Sequence, residues 1–162
     1  MKKILILMVL IAGTTWAQAN DQITARVVSV IDGNTLEIIG SDNEKQKILL
    51  AGIDSPELTQ EYGEKARKFL EKMMLEKTVT VEITGQDRKG TPVAIVMIEN
   101  KDPRHELLKE GLAWTAERNP LPDLEVMRAK AQEKGKGLWK QDNPTPPWTH
   151  RREQTMLTPK SS

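Results

Sequence analysis

The chain has no cysteine. Packing alone, without disulfides, must therefore hold it together. Its two histidines, His105 and His150, have no partner at metal-ligand spacing and read as solvated surface, not as a zinc site. Aromatic residues make up only 4% of the sequence, too few for the stacking platforms that single-stranded nucleic acid binders rely on. Beyond the first 19 residues they are Tyr62, Phe69, Trp114, Trp139 and Trp148, and most of these have core positions to fill. Neither sign of charge dominates, with 24 basic residues against 23 acidic ones, so the basic footprint of a nucleic acid binder is missing. The apolar run from Ile4 to Ala12 falls far short of the roughly 20 residues of a spanning helix.

That short run has another use. Lys2 and Lys3 precede it and Ala17-Gln18-Ala19 follows it, the layout of a secretory signal cut after Ala19. Three segments result: a signal over 1–19, one domain over 20–142, and a Pro-rich basic C-terminal tail over 143–162. The expected location is the periplasm or the medium, with no membrane span once the signal is removed. Its removal takes two lysines and no acid, so the net charge moves from +1 to −1.

The domain opens with β-branched alternation over Ile23–Ile31, turns through Asp32-Gly33-Asn34, and resumes over Thr35–Ile39. A second turn at Gly40-Ser41-Asp42-Asn43 leads to Lys45–Leu50, which completes a three-stranded meander. Tyr62, Ala66, Phe69, Leu70, Met73 and Met74 recur at helical spacing. Two more strands are expected over Thr78–Ile83 and Pro92–Ile98, the second pairing only after Pro92, which lacks an N–H. Helices near His105–Glu110 and Pro122–Lys134 follow, and the tail reads as an extended appendage. Five strands and three helices in this order fit an α+β, mainly β fold, a five-stranded OB barrel, and not an alternating parallel sheet.

Chemistry concentrates at Leu49-Leu50-Ala51-Gly52-Ile53-Asp54-Ser55-Pro56-Glu57. A strand-like run ends on Asp54 and a second acid follows three residues later. Asp32 and Asn34 can share that pocket if the two turns lie side by side, although a hairpin turn selects the same residue types for its own reasons.

Together, Val30-Ile31-Asp32-Gly33-Asn34-Thr35, the acid turn, Tyr62-Gly63, Asp87-Arg88-Lys89-Gly90, Gly111-Leu112-Ala113-Trp114 and Gly137-Leu138-Trp139 resemble the staphylococcal nuclease family, in order over roughly residues 23–139. Pro146-Pro147-Trp148 with Arg151-Arg152 is similar to the endings of exported bacterial members. The resemblance implies a barrel that hydrolyses DNA and RNA phosphodiesters with one calcium ion. It places Asp54, the Ser55 backbone carbonyl and the first-turn position Asn34 on the metal, with Asp32 as a partial compensator, and gives Glu57 the attacking water.

The match is incomplete. Asn34 stands where the family has an aspartate, so the site loses a negative charge and should hold calcium more weakly. Leu49 and Thr91 occupy the positions of the two phosphate-holding arginines. Arg88, Lys89 and Lys47 are the candidate substitutes, although Lys47 lies about 7 Å from Leu49 along the strand. Lys89 and Glu117 also replace aromatic residues of the family pattern.

Three readings follow. The first is an exported nuclease-fold protein with little or no phosphodiesterase activity, binding nucleic acid or another ligand. The second is a working calcium-dependent endonuclease that uses substitute cations. The third is an envelope module whose tail binds a protein partner, and in all three the chain is expected to be a monomer. Losing one preorganised donor to a charged transition state costs on the order of 3 kcal/mol, about a hundredfold in rate. The triple variant Asn34→Asp, Leu49→Arg, Thr91→Arg should therefore digest denatured DNA in calcium at least about a hundredfold faster than the parent. A release assay on the two proteins side by side checks this, and equal rates would show that more than these three positions was lost.

Overall fold

The structure, a computed structural model, describes residues 22–157. The signal reading over 1–19 lies outside the described residues. Five strands close a barrel: β1 (Gln22–Asp32), β2 (Thr35–Ile39), β3 (Lys45–Leu50), β5 (Thr78–Gln86) and β6 (Pro92–Met97), in the order β1-β2-β3-β6-β5. A two-residue strand, β4 (Ile53–Asp54), lies outside the barrel.

Period-two alternation explains the closure. Val27, Leu36, Ile38, Ile48, Leu50, Val79, Val81, Ala94 and Val96 are each at most 2% exposed and fill the interior. β1 is long enough to pair with β2 on one side and β5 on the other, and Arg26 faces both Ile39 and Thr78. Register shifts after Val27 and Val30 let β1 curl between them. β3 meets β6 in parallel, with Leu49 opposite Val93. Pro92 is inside the pairing, opposite Gln86, and not just before it as expected. At the end of its strand it gives up no central ladder bond.

The helix α1 (Gly63–Met74) buries Ala66, Leu70 and Met74 on the barrel, as its spacing requires. A Cβ on Gly63 would sit 1.9 Å from the Glu57 carbonyl oxygen, so the glycine is what lets the helix start press against the acid turn. Next come α2 (Pro103–Lys109), the short strand β7 (Trp114–Thr115) and α3 (Pro122–Glu133), followed by a 3-10 turn, Gly137–Lys140, that plugs Leu138 and Trp139 into a satellite core.

Two expectations are corrected. The third strand does not run on to Asp54. It ends at Leu50, Gly52 turns the chain at φ 75°, and Asp54 lies on β4, paired with Trp114 of β7. The tail is not extended either. Pro147–Leu157 forms a fourth helix, α4, opened by Pro147 where the absent N–H costs nothing.

Buried Arg104 holds the chain where it leaves the barrel. Its guanidinium donates to the Ala51 carbonyl at 3.0 Å and is clamped by the buried Asp102, at 2.6 Å for the shortest contact. Asp102 also caps α2 by accepting from the Arg104 N–H. Breaking a buried pair from one side strands the other charge. Arg104→Met should therefore cost about 3 kcal/mol in urea unfolding, and Asp102→Asn added to it should recover at least about half, because Asn keeps the cap without the orphan charge.

Candidate functional site

The first turn and the acid turn lie in direct contact. A Cβ on Gly33 would fall 2.5 Å from the Ser55 Cβ and 2.7 Å from the Ala66 Cβ, so only glycine admits this approach. Two hydrogen bonds lock it: Ser55 Oγ donates to the Gly33 carbonyl, and the Ser55 N–H donates to Asn34 Oδ1, both at 3.0 Å. Asp32, Asn34, Asp54 and Glu57 consequently line one groove of about 830 Å³, together with Leu49, Arg88 and Lys89.

The acids of the two turns and Asn34 are already engaged. Both carboxylate oxygens of Asp32 serve its own turn, one accepting from the Asn34 N–H at 2.9 Å and the other from the Thr35 hydroxyl at 2.8 Å. Asn34 holds the acid turn, as described. Asp54 and Glu57 share a guanidinium from the C-terminal helix. Arg151 donates to both oxygens of Asp54, at 2.7 and 3.1 Å, and to Glu57 Oε1 at 2.6 Å.

The path by which Arg151 arrives runs through the acid strand itself. Asp54 pairs in register with Trp114, and the Trp148 ring lies edge-on to the Trp114 ring with centroids 5.8 Å apart. Arg151 follows Trp148 by three positions, so both project from one face of α4. The helix is also tied by the His150 Nε2 contact with the Thr59 hydroxyl at 2.9 Å and by Gln60, which donates to the Thr145 carbonyl. His150 is thus half-buried and partnered, not solvated as expected. Arg152 pairs with Glu117 at 3.0 Å on the groove's far side.

Burial dominates the electrostatics of Asp54, whose side chain is only 17% exposed. It pushes the carboxyl above the ordinary aspartate value. The Arg151 hydrogen bonds and charge oppose this shift, and the charges of Glu57 and Asp32 add to it. Arg151 is correspondingly held in its charged form, first by Asp54 and then by Glu57. The two shifts point in different senses for one pair because burial penalises the enclosed acid more than it does the half-exposed guanidinium.

Calcium takes six to eight oxygens and favours anionic ones. As folded, the donor set here does not fit it. Asp54 and Glu57 are both engaged by Arg151, Asp32 is turned into its own loop, and Asn34 is neutral and hydrogen-bonded. Among the described residues no group of three acidic or histidine side chains is placed to hold a metal ion.

The candidate phosphate contacts are divided. Arg88 and Lys89 are exposed on the groove rim, on a turn that Asp87 organises by accepting from the Lys89 and Thr91 N–H groups. Lys47 points to solvent opposite Glu37 and does not line the groove, and Thr91 is likewise outside its lining. Sequence reasoning passed over Arg151 and Arg118, both in the groove wall, and Arg104 behind it. Only the Trp148 and Arg151-Arg152 pattern of the tail signalled any of them.

A family profile described as staphylococcal nuclease homologue matches residues 47–141. A Haemophilus influenzae protein named "Uncharacterized endonuclease" is 33% identical over 96% of this chain and 88% of its own length. An Escherichia coli O157:H7 protein of the same name is 33% identical over 85% of this chain and 90% of its own. A rice protein named "Probable staphylococcal-like nuclease CAN1" is 35% identical over 68% of this chain, but only 34% of its own length is covered. With the closed barrel, the acid turn of Asp54 and Glu57, and these matches, the chain belongs to the staphylococcal nuclease family.

Proposed function

We propose that this chain is an exported nuclease-family protein that hydrolyses phosphodiesters weakly or not at all. The observation that carries the reading is the Arg151 guanidinium lying across Asp54 and Glu57, the two acids that the resemblance assigns to metal and water. A carboxylate bound by a charged donor is a poorer base.

The groove as a whole agrees. Five acids (Asp32, Asp54, Glu57, Asp87, Glu117) and five bases (Arg88, Lys89, Arg118, Arg151, Arg152) line it, so its formal charge is zero. A neutral groove attracts a polyanion little, and two of those bases are already paired with acids of the same wall. Leu49 lies in the lining at the place of a family arginine and offers phosphate only apolar surface. Export rests on Lys2-Lys3, the apolar run and Ala17-Gln18-Ala19.

One observation favours the working endonuclease as a second reading. Arg88 and Lys89 share the groove with Asp54 and Glu57, and neither is held in an ion pair among the described residues. In that reading these two cations hold the phosphate, and Glu57 works once Arg151 has moved aside. The family is calcium-dependent in general, and calcium would then be required here as well.

Purified protein incubated with denatured DNA in calcium should release acid-soluble nucleotide no faster than its Glu57→Ala variant. Robust calcium-dependent digestion that disappears in Glu57→Ala would overturn the first reading in favour of the second.

A further inference from the structure

We propose that the Asp54 and Glu57 carboxylates form a guanidinium site filled by the chain's own Arg151, so that α4 stands over the position that the resemblance assigns to calcium. The inference deepens the low-hydrolysis reading, on which it rests, by naming the occupant of the acid site.

Geometry supports a built site and not a chance surface contact. One guanidinium makes three hydrogen bonds to two carboxylates, two of them in the forked arrangement to Asp54 that its planar shape matches. Asp54 is mostly enclosed, so the contact works in a partly desolvated setting where it counts for more than an exposed pair. Independent contacts aim the helix at that point: Trp148 on Trp114, His150 on Thr59, and Thr145 on Gln60. All three anchors lie in or beside the segment that carries the acids. With its own segment anchored at Thr145, Trp148 and His150, Arg151 is held at a high effective concentration, against which a free divalent cation must compete.

The donor chemistry points the same way. A calcium site needs more anionic oxygen than a guanidinium site, and this chain has Asn34 where the family has an aspartate, with its amide oxygen engaged by the Ser55 N–H. What is left, two carboxylates on one side, suits a flat monocation with directed donors. Arg151 is thus a positioning residue: it fixes α4 over the groove and covers the acids.

The experiment reads docking of the tail, not hydrolysis. Full-length protein is digested with limiting chymotrypsin, and the rate of cleavage after Trp148 is followed by mass spectrometry. Arg151→Ala, on the tail side, and Asp54→Asn with Glu57→Gln, on the barrel side, should each speed that cleavage roughly tenfold, the release expected for a forked, partly enclosed ion pair. Arg151→Lys, which keeps the charge and loses the fork, should fall between. Millimolar calcium should leave the wild-type rate unchanged. The far-UV circular dichroism of each variant confirms that the barrel is intact, and Arg151→Ala carries the test alone if the acid variant fails to fold.

Cleavage indifferent to Arg151→Ala would overturn the proposal, as would release of the wild-type tail by calcium. Release by calcium with denatured DNA left intact would sink the guanidinium site and leave the low-hydrolysis reading standing. Robust digestion by a protein whose tail obeys the expected pattern would do the reverse.

Discussion

A mostly buried carboxylate needs a counter-charge, and the way Asp54 acquires one organises this face of the molecule. Asp54 is drawn out of water because Gly52 turns the chain off the barrel and β4 pairs it with Trp114. Burial disfavours its charged form, and Glu57 and Asp32 add repulsion. Arg151 relieves both by bridging the two nearest acids. The bridge joins the contacts of Trp148 with Trp114 and of His150 with Thr59 in holding α4 against the groove. A helix of 11 residues is marginal by itself in water, so this one depends on such tertiary contacts.

The same interaction changes what the groove can do. A nuclease site works by concentrating positive charge where phosphate binds and by keeping its base free. Here one arginine of the wall, Arg151, is turned inward onto two of the acids, and over the whole lining five cations meet five carboxylates. The fold remains that of the family. What the site can do depends on its charges and not on the topology alone, and here two of the bases are paired with acids of the same wall.

The barrel was legible in the sequence because its signal is local. Val79 and Val81, or Leu36 and Ile38, alternate with outward residues, and burial on one face of a sheet needs nothing more. Helix α1 was legible for the same reason at its own period. The path from Leu50 to Asp54 was not, since Ala51-Gly52-Ile53 continues an apolar run and hides a break that depends on Arg104 holding the Ala51 carbonyl from 53 residues away. The tail was harder still. Its proline content argues for extension, its apolar stripe is weak, and the contacts that make it helical come from Thr59, Gln60, Glu117 and, 97 residues from Arg151, Asp54. Residue type marked Asp54 and Glu57 as a site, but no pattern in their neighbourhood could name their partner.

Leu49, Thr91 and Asn34, as they stand in this chain, and the placement of Arg151 have one electrostatic account. In the pattern that the resemblance implies, the acids face two arginines and a divalent cation. Take away both arginines and one ligand aspartate, and two carboxylates remain, repelling each other in a partly desolvated pocket. They must be protonated, lost, or neutralised from elsewhere. A single guanidinium from the tail bridges the two and offsets part of their repulsion, and Asn34 in place of the ligand aspartate spares the pocket a further negative charge. In the proposed reading Asp54 and Glu57 have a role that needs no catalysis: together they anchor the C-terminal helix through the arginine that covers them.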